Sequence, residues 1–262
     1  MNRIEEKFKT LKENNQKAFI AFITAGYPNL GTTKRLVLEF SRVGVDIVEL
    51  GVPFSDPMAD GPIIQESSQV ALENKINLNV ILNFVKTLRK STDIPICLMS
   101  YYNPIFCFGE ERFVKRAKEV GVDGVVIPDL PPEEGRNFIK LSHQHNLDVI
   151  CFISPTTSLK RAKYNSRISR GFIYYVSLTG VTGPRQKLSP DIKEHLYELK
   201  KITSKPICVG FGVANPRQVK EIYTVADGVI VGSAIIKKLK DNLRRKDAVK
   251  IVGKFISYLK NV

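Results

Sequence analysis

The strongest constraint on the fold of this chain is an alternation of short apolar segments with amphipathic segments that runs from end to end. The segments predicted as strands are Ala18–Thr24, Asp46–Leu50, Ile94–Tyr101, Gly124–Pro128, Asp148–Ser154, Gly171–Ser177, Pro206–Phe211 and Gly228–Gly232. They are apolar on both faces, as buried parallel strands are. Strand–helix alternation repeated eight times within 262 residues predicts an α/β fold, the (β/α)8 TIM barrel. We expect a single barrel domain over residues 1–262.

Helical spacing marks the segments between the strands and one segment before the first strand. Ile4, Phe8 and Leu11 are three to four residues apart and predict an extra N-terminal helix. The other predicted helices are Thr32–Val43, Asn79–Lys90, Glu111–Val120, Glu133–Asn146, Leu159–Asn165, Asp191–Ile202, Pro216–Thr224, Ala234–Lys240 and Ala248–Leu259. Two loops are elaborated. The one after strand 2 has an added helical turn at Ile63–Leu72, and the loop Leu178–Ser189 after strand 6 could act as a lid, with an ordinary flexible loop as the alternative.

Composition excludes several classes of protein. The net charge is +14, but the lysines are spread along helix faces, so we expect no nucleic-acid binding. No apolar run approaches the roughly 18–20 residues that span a bilayer. The charged N-terminal segment is unlike a signal peptide, which predicts a protein of the cytoplasm, or of the plastid stroma if it is plastid-encoded. Four cysteines without a CxxC pair and three histidines in predicted helices indicate reduced thiols and no metal site.

Two carboxylates in consecutive elements are the first candidates for chemistry. Glu49 lies inside the apolar strand DIVEL, and Asp60 ends the loop that follows it. A buried, unpaired carboxylate is costly, and two carboxylates in different environments can serve as acid and base near neutral pH. Each has a structural alternative, since Glu49 could be satisfied by a tyrosine or an amide, and Asp60, like Asp56, could form a turn. Their pairing favours the catalytic interpretation.

Glycine-bearing turns after the late strands are the second candidates. Gly180–Gly183, Gly210–Gly212 and Gly232–Ala234 would let backbone N–H groups approach an anion. TIM barrels frequently bind phosphate through the loops after strands 7 and 8, which hold Gly212 and Gly232–Ser233. The structural alternative is that these glycines serve only close packing. Apolar and aromatic residues near strand ends would form a flat slot, with core packing as their alternative: Phe22, Tyr101, Tyr102, Ile127, Ile153, Tyr174 and Tyr175.

Several segments together resemble the tryptophan synthase alpha subunit family over nearly the whole chain. They are FITAGYP at 22–28, ELGVPFSDPMADGPIIQ at 49–65, YYNPIF at 101–106, PDLPPEE at 128–134, SLTGVTG at 177–183, GFGV at 210–213 and GVIVGSA at 228–234. The resemblance implies a carbon–carbon lyase of tryptophan biosynthesis. Its reaction would be the retro-aldol cleavage of indole-3-glycerol phosphate to indole and glyceraldehyde 3-phosphate.

The same resemblance implies roles for individual residues. Glu49 would be the acid/base that protonates indole C3, Asp60 would hold the indole N–H, and Tyr174 would be a supporting active-site tyrosine. Residues implied to contact the indole are Phe22, Tyr101, Ile127 and Ile153, with Thr182 ordering the lid against Asp60. Residues implied to hold the phosphate are Gly183, Phe211, Gly212, Gly232 and Ser233.

The resemblance also implies a partner and no cofactor in this chain. Alpha subunits of the family pair with a beta subunit that holds pyridoxal phosphate, in an alpha2beta2 tetramer through which indole passes. The loops Pro53–Asp60, Asn103–Gly109 and Asp129–Pro132 would face that partner.

Two other functions stay open from the residues alone. A sugar-phosphate isomerase or epimerase would use a metal-ligating histidine cluster or a lysine on a strand, and neither is apparent in the sequence. A non-catalytic member that only activates a beta subunit would be expected to lack Glu49 or Asp60, and both are present.

Overall fold

The barrel is built from parallel strands that follow one another around a ring. The computed structural model describes residues 2–176, 190–210 and 212–262. Within these residues the strands are β1 (Ala18–Thr24), β2 (Ile47–Gly51), β3 (Ile96–Met99), β4 (Gly124–Val126), β5 (Asp148–Ile150), β6 (Phe152–Ile153), β7 (Ile173–Val176), β8 (Ile207–Gly210) and β9 (Gly228–Val231). Their order in the sheet is β5-β4-β3-β2-β1-β9-β8-β7-β6, and the pairings between these neighbours are parallel.

Helices separate the strands and cover the outside of the barrel. They are α1 (Arg3–Glu13), α2 (Leu30–Arg42), α3 (Pro62–Glu73), α4 (Leu78–Leu88), α5 (Tyr102–Phe108), α6 (Glu110–Val120), α7 (Arg136–Gln144), α8 (Leu159–Ile168), α9 (Pro190–Ile202), α10 (Pro216–Val225), α11 (Ser233–Lys240) and α12 (Ala248–Lys260). In the part of the chain that the structure describes, none of the helices is both long and apolar enough to cross a membrane.

The ring closes through the fifth predicted strand, which the structure divides at Cys151. β5 pairs with β4, and β6 pairs with β7. The Cys151 N–H donates to Ser169 Oγ at 3.0 Å instead of to a neighbouring strand, while its carbonyl accepts from the Tyr174 N–H at 3.1 Å. The prediction of one continuous strand there was therefore wrong, because a side-chain hydroxyl takes the place of a ladder partner. The predicted (β/α)8 barrel is confirmed.

Two further boundaries differ from the prediction around β3. The strand covers Ile96–Met99, and the segment expected as a loop, Asn103–Gly109, is largely the helix α5. Pro104 fits there because it lies in the first turn, where a missing N–H leaves no helical hydrogen bond unmade. Gly109 adopts a φ of +91° and separates α5 from α6.

The N-terminal helix covers the barrel at the end where the strands begin. Ile4, Phe8 and Leu11 are all buried, which confirms the predicted helix and its apolar face. Asn2 caps the helix and its side-chain amide donates to the Asp123 carbonyl at 3.0 Å. The helix closes the end of the barrel opposite the strand C-termini, so a ligand has to enter from the end at which the strands finish.

A repeated aspartate fixes how neighbouring strands begin. The sequence echo GVDIVELG, GVDGVVIPD and ADGVIVGS carries an aspartate just before β2, β4 and β9. In each case the carboxylate accepts the N–H at or next to the start of the adjacent strand: Asp46 from Phe19 at 2.9 Å, Asp123 from Ile96 at 2.9 Å, and Asp227 from Ile207 at 3.0 Å. These bonds set the stagger of the strands and hence which side chains meet at their far ends.

Candidate active site

Glu49 lies in the wall of the barrel, in register with Phe22 on β1 and Cys97 on β3. Its side chain is 1% exposed, and neither carboxyl oxygen has a hydrogen-bond partner among the described residues. Burial raises the pKa of Glu49 to about 8, with a smaller contribution from the negative charge of Asp60. At neutral pH Glu49 therefore carries a proton that it can donate.

Asp60 is held on the following loop by Tyr101. Burial raises the pKa of Asp60 to about 6, while the hydroxyl of Tyr101, which donates to this carboxylate, opposes the rise. The Tyr101 hydroxyl oxygen also accepts the Ala59 N–H at 2.9 Å, and its ring stacks on Phe54 with centroids 5.3 Å apart. Asp60 is thus ionised at neutral pH, in contrast to Glu49.

A cavity of about 250 Å³ opens at the C-terminal ends of the strands. Six of the residues predicted for the site line it: Phe22, Asp60, Tyr174, Gly212, Gly232 and Ser233. Six others that line it were not predicted: Gly61, Pro62, Ile63, Ile64, Met99 and Ile230. Glu49 is not in the lining; it lies beside Phe22 in the barrel wall.

Glycines make room for the two aromatic side chains of the lining. A Cβ on Gly51 would lie 2.7 Å from Phe22 Cζ, and a Cβ on Gly210 would lie 2.8 Å from Tyr174 Cε1. Contacts this short do not occur between carbon atoms, so each ring occupies space that only glycine leaves free. The positions of Phe22 and Tyr174 are therefore fixed by the residues of the neighbouring strands.

The late strands supply the geometry of an anion site. Gly212, after β8, adopts a φ of +77°, and Gly232 is the N-cap residue of α11, with Ser233 its first residue. The first-turn N–H groups of a helix have no acceptor within the helix and lie at the positive end of its dipole. Of the residues predicted to hold the phosphate, Gly183 and Phe211 lie outside the described residues, as does Thr182 with the predicted lid.

The two isoleucines predicted to flank the indole, Ile127 and Ile153, are not among the residues that line this cavity. Ile153 pairs in register with Tyr175, whereas Phe152 pairs with Tyr174, and the Phe152 and Tyr174 rings are 4.7 Å apart. Ile127 follows β4 and lines a separate cavity of about 470 Å³, to which Phe152 also contributes. Successive side chains of a strand point to opposite faces, so a shift of one residue decides whether a side chain meets Tyr174.

The unpredicted lining residues come from two sources. Met99 is two residues after Cys97, the register partner of Glu49. Because alternate residues of a strand share a face, Met99 could have been predicted from that spacing. Ile63 and Ile64 belong to α3, which lies over the open end of the barrel. No periodicity in the sequence of this helix indicates that they line the cavity. A buried 2.6 Å hydrogen bond between the Thr24 and Ser67 hydroxyls holds this helix against β1.

The arrangement suits acid/base chemistry on a phosphorylated substrate with a flat apolar part. It combines a protonated carboxylic acid, an ionised carboxylate, aromatic walls and a helix N-terminus. No group of three or more histidine, cysteine, aspartate or glutamate side chains within the described residues could hold a metal ion.

Comparison with known proteins places the whole chain in one family. The profile of the family "Tryptophan synthase alpha chain" matches residues 8–260. A tryptophan synthase alpha chain of Geotalea uraniireducens is 46% identical over 99% of this chain and 97% of its own length. The tryptophan synthase subunit alpha of Legionella pneumophila has a TM-score of 0.92 at 37% identity, covering 99% and 97%. A tryptophan synthase complex from Pyrococcus furiosus contains a chain that matches with a TM-score of 0.85 at 32% identity, covering 94% and 98%.

Proposed function

Because the chain belongs to the tryptophan synthase alpha chain family, we propose that Glu49 and Asp60 carry out the alpha reaction in this protein. That reaction is the cleavage of indole-3-glycerol phosphate to indole and glyceraldehyde 3-phosphate, and the protein is a carbon–carbon lyase of tryptophan biosynthesis. The single observation that supports the assignment most is the state of Glu49: buried, unpaired among the described residues and with its pKa raised to about 8.

The first step is a proton transfer from Glu49 to carbon C3 of the indole ring. Protonation makes the ring an electron-poor indolenine cation, into which the electrons of the bond between C3 and the glycerol carbon can pass. The hydroxyl on that carbon then loses its proton and becomes the aldehyde of glyceraldehyde 3-phosphate. Glu49, now a carboxylate, can accept this proton, so the carboxyl group ends the cycle as it began. A positioned acid or base of this kind contributes about 10²–10⁴-fold to a rate.

Asp60 stabilises the charge that forms during this step. Its carboxylate is ionised at neutral pH and lines the cavity, so it can accept the indole N–H and offset the positive charge that develops on the ring nitrogen. The Tyr101 hydroxyl keeps the carboxylate charged and in place. Tyr174, whose pKa is raised by burial, stays protonated beside both carboxyl groups.

The phosphate of the substrate anchors the molecule at the opposite side of the cavity. We assign it to the backbone of Gly212, Gly232 and Ser233, together with the predicted Gly183 and Phe211. Phe22, Met99 and Ile230 then contact the flat ring. A remote anchor supplies binding energy that orients the bond to be broken.

The deciding experiment measures indole release from indole-3-glycerol phosphate by the purified chain and its variants. We expect Asp60→Asn and Glu49→Gln to lower kcat by at least about 10²-fold, and Asp56→Asn to leave it within about 2-fold. Asp56 is the matched control, since it is an exposed aspartate of the same loop and lines no part of the barrel cavity. Equal rates for Asp60→Asn and Asp56→Asn would refute the assignment.

The two alternatives lack support from the site. Within the described residues, the cavity lining contains no lysine and no histidine, which an isomerase or epimerase of the kinds considered would use. A purely structural member would have no reason to keep a protonated, unpaired glutamate in its barrel wall. The indole-release assay separates both from the lyase.

The partner is a beta subunit, and pyridoxal phosphate belongs to that subunit. We propose that it docks on the C-terminal face of the barrel, where two large apolar side chains are exposed. Met58, in the loop after β2, is 84% exposed and Phe106, in α5, is 64% exposed, and both lie in segments expected to face the partner. Charged replacements, Met58→Glu or Phe106→Glu, should weaken binding to the beta subunit by at least about 10-fold in calorimetry, whereas Tyr197→Glu should not.

Two further statements stay proposals. We propose a single domain over residues 1–262, because one continuous apolar cluster draws members from all nine described strands. We also propose a reducing compartment, the cytoplasm or a plastid stroma. All four cysteines are free, and three of them, Cys97, Cys151 and Cys208, are buried.

A further inference from the structure

A third cavity, about 510 Å³ in volume, lies on the flank of the barrel between α7 and α8. We call it the flank groove; its lining is Pro132, Arg136, Ile139, Lys140, His143, Gln144, Arg167, Ile168 and Arg170. None of these residues lines the cavity that contains Asp60 and Tyr174. The proposed lyase reaction makes no use of this groove.

The lining carries four fixed positive charges and no carboxylate. Arg136 and Lys140 are one helical turn apart on α7, so they share a face, while Arg167 and Arg170 lie at the end of α8 and just beyond it. In the described part of the chain none of the four forms an ion pair. Glu133, three residues before Arg136, pairs instead with Arg161 at 3.1 Å.

His143 adds a buried polar atom to the lining. Its Nε2 has no hydrogen-bond partner among the described residues, and Arg170 Nη1 donates to its backbone carbonyl at 3.2 Å. Burial, with the positive charges of Arg170 and Lys205, lowers the pKa of His143 to about 4. The imidazole is therefore neutral at pH 7, and its unpaired Nε2 adds a polar atom to the lining without adding a charge.

The floor of the flank groove is apolar. Ile139 is 7% exposed, Pro132 is buried and Ile168 is half-buried, so the cations surround an apolar surface instead of a polar one. Cations of like sign repel one another across such a surface unless an anion lies between them. The geometry is that of a pocket of ligand size, within the usual range of about 300–1,000 Å³.

We propose that the flank groove binds a small organic molecule that carries two or more phosphate groups. The phosphates would lie between the guanidinium groups of Arg136 and Arg167, which can each donate two hydrogen bonds to a phosphate. The non-ionic part of the molecule would pack on Ile139 and Ile168. Nucleic acid fits less well, because the lining offers no phenylalanine, tyrosine or tryptophan on which a base could stack.

The test is calorimetric titration of the full chain with sodium pyrophosphate, in the absence of divalent cations, on wild type and on Arg136→Gln/Arg167→Gln. Both side chains are exposed, so the double variant should fold, whereas Arg170 is left intact because it caps α7. We expect the variant to bind pyrophosphate at least about 10-fold more weakly, since it loses charge-assisted hydrogen bonds. The matched control, Arg35→Gln/Arg244→Gln, removes the same charge elsewhere and should change the affinity less than about 2-fold.

Three outcomes would overturn the proposal. The first is no binding of pyrophosphate by wild type at low salt. The second is equal weakening by both double variants, which would indicate only an unspecific response to net charge. The third is pyrophosphate that raises KM for indole-3-glycerol phosphate and keeps its affinity in Arg136→Gln/Arg167→Gln, because the anion would then lie in the barrel cavity. Indole release by the double variant should equal that of wild type.

Discussion

Replacing Glu49 by glutamine should make the protein more stable as well as inactive, and the gain should grow with pH. The reason is the environment of the carboxyl group, which is 1% exposed and has no hydrogen-bond partner among the described residues. In the unfolded chain Glu49 ionises near its ordinary value of 4.5, whereas in the folded chain it stays protonated up to a pKa of about 8. Glutamine is neutral in both states and lacks this difference.

The magnitude follows from the two pKa values. Below pH 4.5 Glu49 is protonated in both the folded and the unfolded chain, and its contribution to the free energy of unfolding is fully present. That contribution is lost as the pH rises towards 8, because Glu49 ionises first in the unfolded chain. Each pH unit between them corresponds to about 1.36 kcal/mol. Between pH 5 and pH 8 the free energy of unfolding of wild type should therefore fall by about 3.5 kcal/mol relative to that of Glu49→Gln.

Urea unfolding at pH 5, 6, 7 and 8, followed by circular dichroism, measures this difference directly. Glu39→Gln is the matched control, and its curve should run parallel to that of wild type between pH 5 and pH 8. A hydrogen bond from Arg42 lowers the pKa of Glu39, so its contribution to stability is present above the ordinary value and is lost as the pH falls. Parallel curves for wild type and Glu49→Gln over the whole range would refute the reasoning, because Glu49 would then titrate alike in the folded and unfolded chains.

Three other substitutions test how the site is positioned. Gly210→Ala would place a methyl group 2.8 Å from Tyr174 Cε1, so we expect a loss of about 1–3 kcal/mol in urea unfolding and a lower kcat/KM for indole release. Tyr101→Phe removes the hydroxyl that donates to Asp60; the pKa of that carboxyl should rise above about 6, and the acid limb of the kcat/KM profile should move to higher pH. Asp123→Asn breaks a buried ion pair at the closed end of the barrel and should cost about 3 kcal/mol of stability while leaving indole release at 25 °C unchanged.

Each of these substitutions has a control within the chain. Gly61→Ala adds a methyl group with no atom within 4 Å and should leave stability unchanged. Tyr102→Phe removes a hydroxyl that donates to Glu110, and it should leave the pH profile in place. Asp93→Asn removes a carboxylate that is 92% exposed and should cost little. A shift of the acid limb in Tyr102→Phe as large as in Tyr101→Phe would rule out the role given to Tyr101.

Local chemistry made the fold predictable to a large extent. Buried parallel strands are apolar on both faces and the helices between them are amphipathic, so the order of elements was visible as hydrophobic periodicity. The N-terminal helix was predicted from Ile4, Phe8 and Leu11, and all three are buried. The break at Cys151 was not visible, because it depends on a hydroxyl 18 residues away in sequence.

The site could be predicted in part for the same reason. A charged residue inside an apolar strand is conspicuous, which identified Glu49, and a glycine-rich turn after a late strand identified Gly212 and Gly232. The side chains that line the cavity were harder to predict, because the sequence of a strand of two or three residues does not show which face is directed into the barrel. In β6 it is Phe152, and not the predicted Ile153, that pairs with Tyr174.

The sequence by itself was enough to predict the barrel, the family and the two candidate carboxyl groups. Each of these predictions rests on residue types and on their spacing along the chain. Tertiary structure alone decided the protonation of the two carboxyl groups. Burial in the barrel wall keeps the proton on Glu49, and a tyrosine from the end of a neighbouring strand keeps Asp60 ionised. The difference is physical: a pKa depends on solvent exclusion and on the charges that folding brings near, and neither is a property of the residue or of its neighbours in sequence.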